Sequence, residues 1–177
     1  MKELKVEIAT VESIKAFGSL VGSQDGVEKF MSFEGTQIFK VPFDLKEDSE
    51  LIVCKVDRRP MTLSIMERHF KHTQTFIPMD GKPFIMVLAP NTQGPLPDPA
   101  SLRAFLFKDV TGIAMHLGVW HEFPFVLEDA TQFAVVLSSQ SHHSDLEDPR
   151  YEWDGEGPDL ERRNLHAREG YDFTVVM

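Results

Sequence analysis

Apolar and polar positions in this chain alternate mostly with a period of two, and only two short stretches depart toward a helical period. Residues 5–9 alternate as an edge strand. Thr10 then offers an N-cap before Val11, Ile14 and Phe17 at helical spacing, with Gly18 as the stop. From Phe33 onward the runs 37–41, 51–56, 62–68, 75–77 and 84–89 are short, β-branched or aromatic, and separated by turn residues. Asp80-Gly81 is a hairpin signal between two of them. The proline-rich stretch 91–99 ends with Asp98 as an N-cap and Pro99 as a first helical residue, after which Leu102, Phe105 and Leu106 form one helical face. Strands resume at 112–116, 123–127 and 132–137. Many short strands with two brief helices predict an all-β barrel or sandwich rather than a βαβ sheet.

The last forty residues break this pattern. Residues 138–170 are dense in Asp, Glu, Arg and Gly and predict a surface-wrapping acidic segment, while 171–177 regains strand character and returns to pair with the barrel or with another subunit. His142-His143 with Asp145 and Glu147 lies in this acidic stretch and reads as a solvated, adventitious metal binder.

Composition adds bounds. A length of 177 residues with 42% hydrophobic content fits a single domain, 1–177, with a real core. With 28 acidic against 18 basic residues the net charge is −10, which repels phosphate backbones and anionic headgroups, so neither nucleic acid nor membrane is an expected partner. A single cysteine, Cys54, forbids an intrachain disulfide and reads as a buried thiol. The N-terminus alternates charge and hydrophobe where a signal peptide needs an apolar run, so a cytoplasmic location is expected.

The candidate chemistry lies in Glu67-Arg68-His69 and, about fifty residues on, in Gly118-Val119-Trp120-His121. If 62–68 is a strand, Ser64, Met66 and Arg68 point one way, and Ile65, Glu67 and His69 the other. Gln74 lies on the returning strand. A carboxylate, two imidazoles and an amide converging in a barrel can hold a divalent cation or move protons. Trp120 beside His121 offers a face on which a ligand can stack, and His116 lies an odd number of residues from His121, facing elsewhere.

These motifs, with Gln74-x-Phe76-Ile77-Pro78-Met79, the strand 84–90 and the Leu102-Arg103-Ala104-Phe105-Leu106 run, resemble the ureidoglycolate lyase family over roughly residues 60–137. The resemblance implies a cupin-like β-barrel, commonly a homodimer, that cleaves (S)-ureidoglycolate to glyoxylate and urea in allantoin catabolism. It places Glu67, His69, Gln74 and His121 where cupins carry metal ligands, and it implies a divalent ion, nickel in particular. For a carbinolamine substrate, His69 and His121 would carry protons, with Glu67 orienting an imidazole or ligating the metal. Gln74 would hydrogen-bond the ureido group, and Arg68 or Lys71 would meet the carboxylate. The chain departs from the family at Ala114, Met115 and Leu117, where Asn, Tyr and Arg are usual, at Glu122-Phe123 before Pro124, where a second His and then Pro are usual, and at Leu137, where Asp is frequent. Two other readings therefore stay open: a metal-dependent cupin enzyme acting on another small organic acid, and a non-catalytic barrel that binds a small molecule.

Overall fold

A computed structural model describes residues 2–23, 26–46, 48–141 and 154–177. The chain opens with β1 (Lys2–Ile8), the helix α1 (Val11–Ile14) and β2 (Gly18–Val21), then a ribbon of β3 (Lys29–Phe33) and β4 (Thr36–Phe39). Next come β5 (Ser49–Val56), β6 (Thr62–Leu63), β7 (Ile65–Arg68), β8 (Thr75–Pro78) and β9 (Phe84–Ala89). The second half adds β10 (Arg103–Phe107), β11 (Gly112–Met115), β12 (Trp120–His121), β13 (Phe125–Val126) and β14 (Thr131–Ser138). It finishes with β15 (Gly155–Gly157), β16 (Leu160–Asn164), α2 (Leu165–Glu169) and β17 (Phe173–Val176).

A large curled sheet runs in the order β15-β16-β7-β12-β9-β10-β1-β17-β6, with β13 also on β9, and a second sheet runs β2-β11-β8-β14-β5. Between them lies the first core, to which the large sheet contributes Phe84, Met86, Leu88, Phe105 and Phe107, and the smaller one Phe76, Ile113, Phe133 and Val135. The architecture is mainly β and cupin-like, as the strand count predicts. Strand β9 is apolar throughout because both of its faces are covered. Phe84, Met86 and Leu88 enter the first core, and Ile85, Val87 and Ala89 enter a second core behind the large sheet. Leu165 of α2 and Phe173 and Val175 of β17 seal that second core.

Several expectations need correction. The stretch 99–106 is not a helix: Arg103–Phe107 is a strand paired with β9, with Ala104 opposite Val87 and Phe105 opposite Met86. Its apolar spacing fits either period in isolation, and two-sided burial beside β9 selects period two. Strand β1 is not an edge, since β10 and β17 both pair with it in parallel. The run 62–68 is broken at Ser64, with β6 paired to β17 and β7 to β16 and β12. Asp80-Gly81 joins β8 of one sheet to β9 of the other instead of closing a hairpin. Helix α1 keeps its predicted Thr10 cap, where the Oγ1 accepts the Ser13 N–H at 3.0 Å, but it ends at Ile14, and Gly18 begins β2. Cys54 is half-buried against the first core rather than enclosed.

The acidic C-terminal segment is more than a solvated wrap. Its described part supplies β15, β16 and α2 to the large sheet and its back, and buries Asp154, Asp159 and Arg163. His142, His143, Asp145 and Glu147 lie outside the described residues. Among the described residues no helix is long and apolar enough to cross a membrane.

Candidate active site

Strand register builds the site. Glu67 of β7 lies opposite His121 of β12 on one side and Arg162 of β16 on the other, and His121 in turn lies opposite Leu88. Residues directly opposite one another share a face. Arg162, Glu67, His121 and Leu88 therefore form one row facing the inside of the barrel, and the next row, with Arg68, Trp120 and Ala89, faces the back. A cavity of about 200 Å³ opens at the inner row, lined by Ile65, Glu67, His121, Glu122, Phe123 and Arg162.

Gly118 sets that register locally. Its φ is +77°, and a Cβ there would sit 2.5 Å from the Asn91 side chain. The Gly118 N–H donates to the His69 carbonyl at 2.6 Å, clipping the start of β12 to the end of β7. This explains why glycine precedes the Trp-His pair.

The two imidazoles and the carboxylate meet at their tips. Glu67 Oε1 lies 3.7 Å from His69 Nε2 and 3.6 Å from His121 Nε2. The His69 Nδ1 faces the Asp159 carbonyl oxygen at 2.7 Å, and the His121 Nδ1 faces that of Val119 at 3.1 Å. A carbonyl only accepts, so each Nδ1 carries the proton and each neutral ring turns the Nε2 lone pair toward Glu67, itself an acceptor. Both Nε2 atoms are buried without a hydrogen-bond partner. Three lone-pair donors at such separations call for a shared cation or for protons on the rings. The ligand atoms of Glu67, His69 and His121 lie close enough together to hold a metal ion. Their tied-down Nδ1 groups match the outer support that metal-bound imidazoles receive.

Electrostatics agree with that convergence. Burial alone would raise the Glu67 pKa, but the imidazoles of His121 and His69 outweigh it and hold the carboxyl well below the usual carboxylate range. Burial opposes charging of His69, and Glu67 overcomes this, so its pKa rises. Glu122, also at the cavity, is pushed up to about 7 by burial, opposed by Arg59 and reinforced by Glu67.

Asp159, fully buried, braces the site from the C-terminal segment. Its Oδ1 accepts the N–H groups of Phe70 and Lys71, each at 2.7 Å, and its Oδ2 accepts a short hydrogen bond from His72 Nδ1. His69, His72 and Asp159 form a second group able to hold a metal ion, and the His72 Nε2 is likewise unpartnered. The segment's own sequence does not announce these roles. Asp159 and Arg162 sit among charges with no motif, and only the pairing of β16 with β7 brings them to the site. His72 carries a weak signal, its spacing from His69.

Three of the expected substrate contacts lie away from this cavity. Arg68 is buried on the back face, where its guanidinium bonds Glu161, Asn91 and the carbonyls of Thr92 and Gly94, 4.3 Å above the Trp120 ring. Trp120 is fully buried in the second core and donates to Thr92 Oγ1 at 3.0 Å. The Lys71 ammonium reaches Gln140 at 3.2 Å and does not line the cavity. Gln74 is buried just before β8, with its Oε1 unpartnered. His116 is exposed and lines a separate cavity of about 230 Å³ that includes Lys15 and Lys40. The carboxylate and paired imidazoles mark the smaller cavity as the chemical one.

Fold and site together define a cupin-like β-barrel enclosing a carboxylate–imidazole centre. The chain belongs to the ureidoglycolate lyase family, whose model, described as Ureidoglycolate lyase, matches residues 1–154. It is 34% identical over 144 residues to a ureidoglycolate lyase of Pseudomonas fluorescens (strain Pf0-1), covering 77% of this chain and 84% of the relative. Similar proteins of the same name from Pseudomonas paraeruginosa (strain DSM 24068 / PA7) and Pseudomonas syringae pv. tomato (strain ATCC BAA-871 / DC3000) are each 33% identical over 149 residues, covering 80% of this chain and 86% of the relative.

Proposed function

We propose that this chain is a ureidoglycolate lyase, an enzyme that splits (S)-ureidoglycolate into glyoxylate and urea. The observation that carries the site assignment is Glu67 Oε1 held between the buried, unpartnered Nε2 atoms of His69 and His121. In this reaction the C–N bond to the ureido group breaks as the hydroxyl oxygen loses its proton and becomes a carbonyl. The departing nitrogen gains a proton, so atoms and charge balance without added water. His121 and His69 suit this traffic, because each can take or release a proton at Nε2 while Nδ1 stays anchored. Glu67 stabilises whichever ring is charged, and Gln74 offers an amide to the ureido group.

Glu67, His69 and His121 also fit a divalent ion such as the nickel that the family resemblance implies. When bound, such an ion supplies Lewis acidity to the substrate's hydroxyl and carboxylate oxygens. Glyoxylate release by the purified protein tests the activity, and release no faster than the uncatalysed reaction refutes it. Elemental analysis and chelation separate the two roles of the triad. Activity lost in chelator and restored by one ion per chain makes the three residues ligands, whereas undiminished activity makes them proton carriers.

A homodimer fits the exposed apolar surface. Leu51 and Val53 on the edge strand β5 are 69% and 60% exposed, and Phe30 and Phe33 on the β3–β4 ribbon are each 59% exposed. Among the described residues β5 is an edge strand, and an exposed edge with apolar side chains is a ready site for pairing with another chain. Light scattering on the eluting protein reads the mass directly, and a monomer rejects this assembly.

A further inference from the structure

The lyase reading leaves the substrate's carboxylate without a partner, because the cations predicted from sequence point elsewhere. We propose that Arg162, from the C-terminal segment, binds that carboxylate and sets the enzyme's preference for an anionic substrate. This inference rests on the lyase reading for the identity of the substrate and on geometry for the residue.

Arg162 lies opposite Glu67 in the β16–β7 pair, on the inner face that also carries His121. It is the cation among the residues lining the cavity of about 200 Å³. Arg59, Arg68 and Arg163 do not line this cavity. Arg68 and Arg163 alternate onto the back face, where both bond Glu161. Arg59 donates to Glu122 Oε1 at 3.1 Å and to the Phe123 carbonyl at 2.7 Å, stacked 3.9 Å from the Phe125 ring. Glu67 also lines the cavity, and its carboxylate repels an entering anion at close range. A guanidinium next to that carboxylate offsets the repulsion, and its planar fork matches a carboxylate in two parallel hydrogen bonds. Arg162 also lies beyond residue 154, where the family model's match ends. The segment that reads as acidic surface thus completes the site, with Asp159 bracing the imidazole side and Arg162 meeting the substrate.

The test uses N-carbamoylglycine, which keeps the ureido and carboxylate groups but lacks the hydroxyl and so cannot be cleaved, together with its uncharged amide. Calorimetric binding of both to wild type, Arg162→Gln and Arg162→Lys separates charge recognition from structure. Wild type is expected to prefer the acid. Arg162→Gln should weaken acid binding by about 10- to 100-fold while leaving the amide unchanged, and Arg162→Lys should recover part of the loss. With ureidoglycolate itself, KM should rise by a similar factor and kcat should change less. No acid preference in wild type, unchanged acid binding in Arg162→Gln, or equal weakening of acid and amide would each overturn the proposal, the last by making Arg162 a structural pair for Glu67. The two readings fail separately. Acid binding that depends on Arg162 without turnover refutes the lyase, and turnover with KM unmoved in Arg162→Gln refutes only the carboxylate role.

Discussion

Replacing Asp159 by alanine removes one carboxylate and strands three donors, two of them part-buried backbone N–H groups and one a buried imidazole. Oδ1 accepts the Phe70 and Lys71 N–H groups at 2.7 Å each, and Oδ2 accepts from His72 Nδ1. A hydrogen bond to a charged acceptor contributes about 1.5–3 kcal/mol net, and the three are coupled through one group, so Asp159→Ala should cost about 3–6 kcal/mol. Asparagine is the informative companion. Its amide oxygen can still accept from the two backbone N–H groups, but its amino group cannot accept from His72, whose ring must change tautomer. Asp159→Asn should therefore cost about 1–2 kcal/mol, between wild type and alanine and nearer to wild type. Urea unfolding followed by circular dichroism measures the series, with the slope checked for constancy. The pH dependence has a defined sign. Burial pushes the Asp159 pKa up, but His72 and the two amides outweigh it and leave it lowered; burial lowers that of His72. The unfolded chain therefore binds more protons at both groups, and stability falls on acidification. His72 withdraws its share as pH drops below the ordinary imidazole value of about 6.5, and Asp159 does so only below about 3.9. The Asp-to-Asn difference should persist at neutral pH and shrink in strong acid. An alanine variant within about 1 kcal/mol of wild type, or no better rescue by asparagine, refutes the brace.

Other perturbations probe the same framework. Arg68→Met breaks a buried network of Glu161, Asn91, Thr92 and Gly94 and should cost about 3–5 kcal/mol with KM unchanged in the folded fraction; a raised KM at unchanged stability would return Arg68 to the substrate. Gly118→Ala forces a methyl group onto Asn91 at positive φ, and should lower the unfolding free energy by about 1–3 kcal/mol and reduce turnover by loosening the His69 clip; a variant equal to wild type in both refutes that role. Glu122 has a folded pKa of about 7, raised above the unfolded value of about 4.3, so the native state holds the extra proton and stability declines as pH rises through that window. Glu122→Gln in chelator-treated protein should thus gain about 1–3 kcal/mol on wild type between about pH 5 and pH 8, and a loss relative to wild type over that range contradicts it.

Much of the site was legible because it depends on local rules. Period-two alternation places Glu67 and His69 on one face and Arg68 on the other whatever the partner strands are, and the structure follows it. The continuous apolar run of β9 announces a strand buried on both sides. Legibility ends where one spacing satisfies two periods. Leu102, Phe105 and Leu106 fit a helical face as well as a strand, and only the neighbouring β9 and β1 decide between them. The same limit hides the C-terminal contribution. Nothing local distinguishes Asp159 or Arg162 from solvated charges, because burial and orientation come from pairing with β7 across more than ninety residues of chain.

By itself, then, the amino-acid order determined the strand-rich class and the faces of Glu67, His69 and Arg68. Only the tertiary structure decided which charged residues meet the inner row, which cation faces the cavity and which carboxylate braces the histidines. Side-chain direction along a strand is a short-range steric property, whereas cross-strand register is set by the packing of the whole barrel.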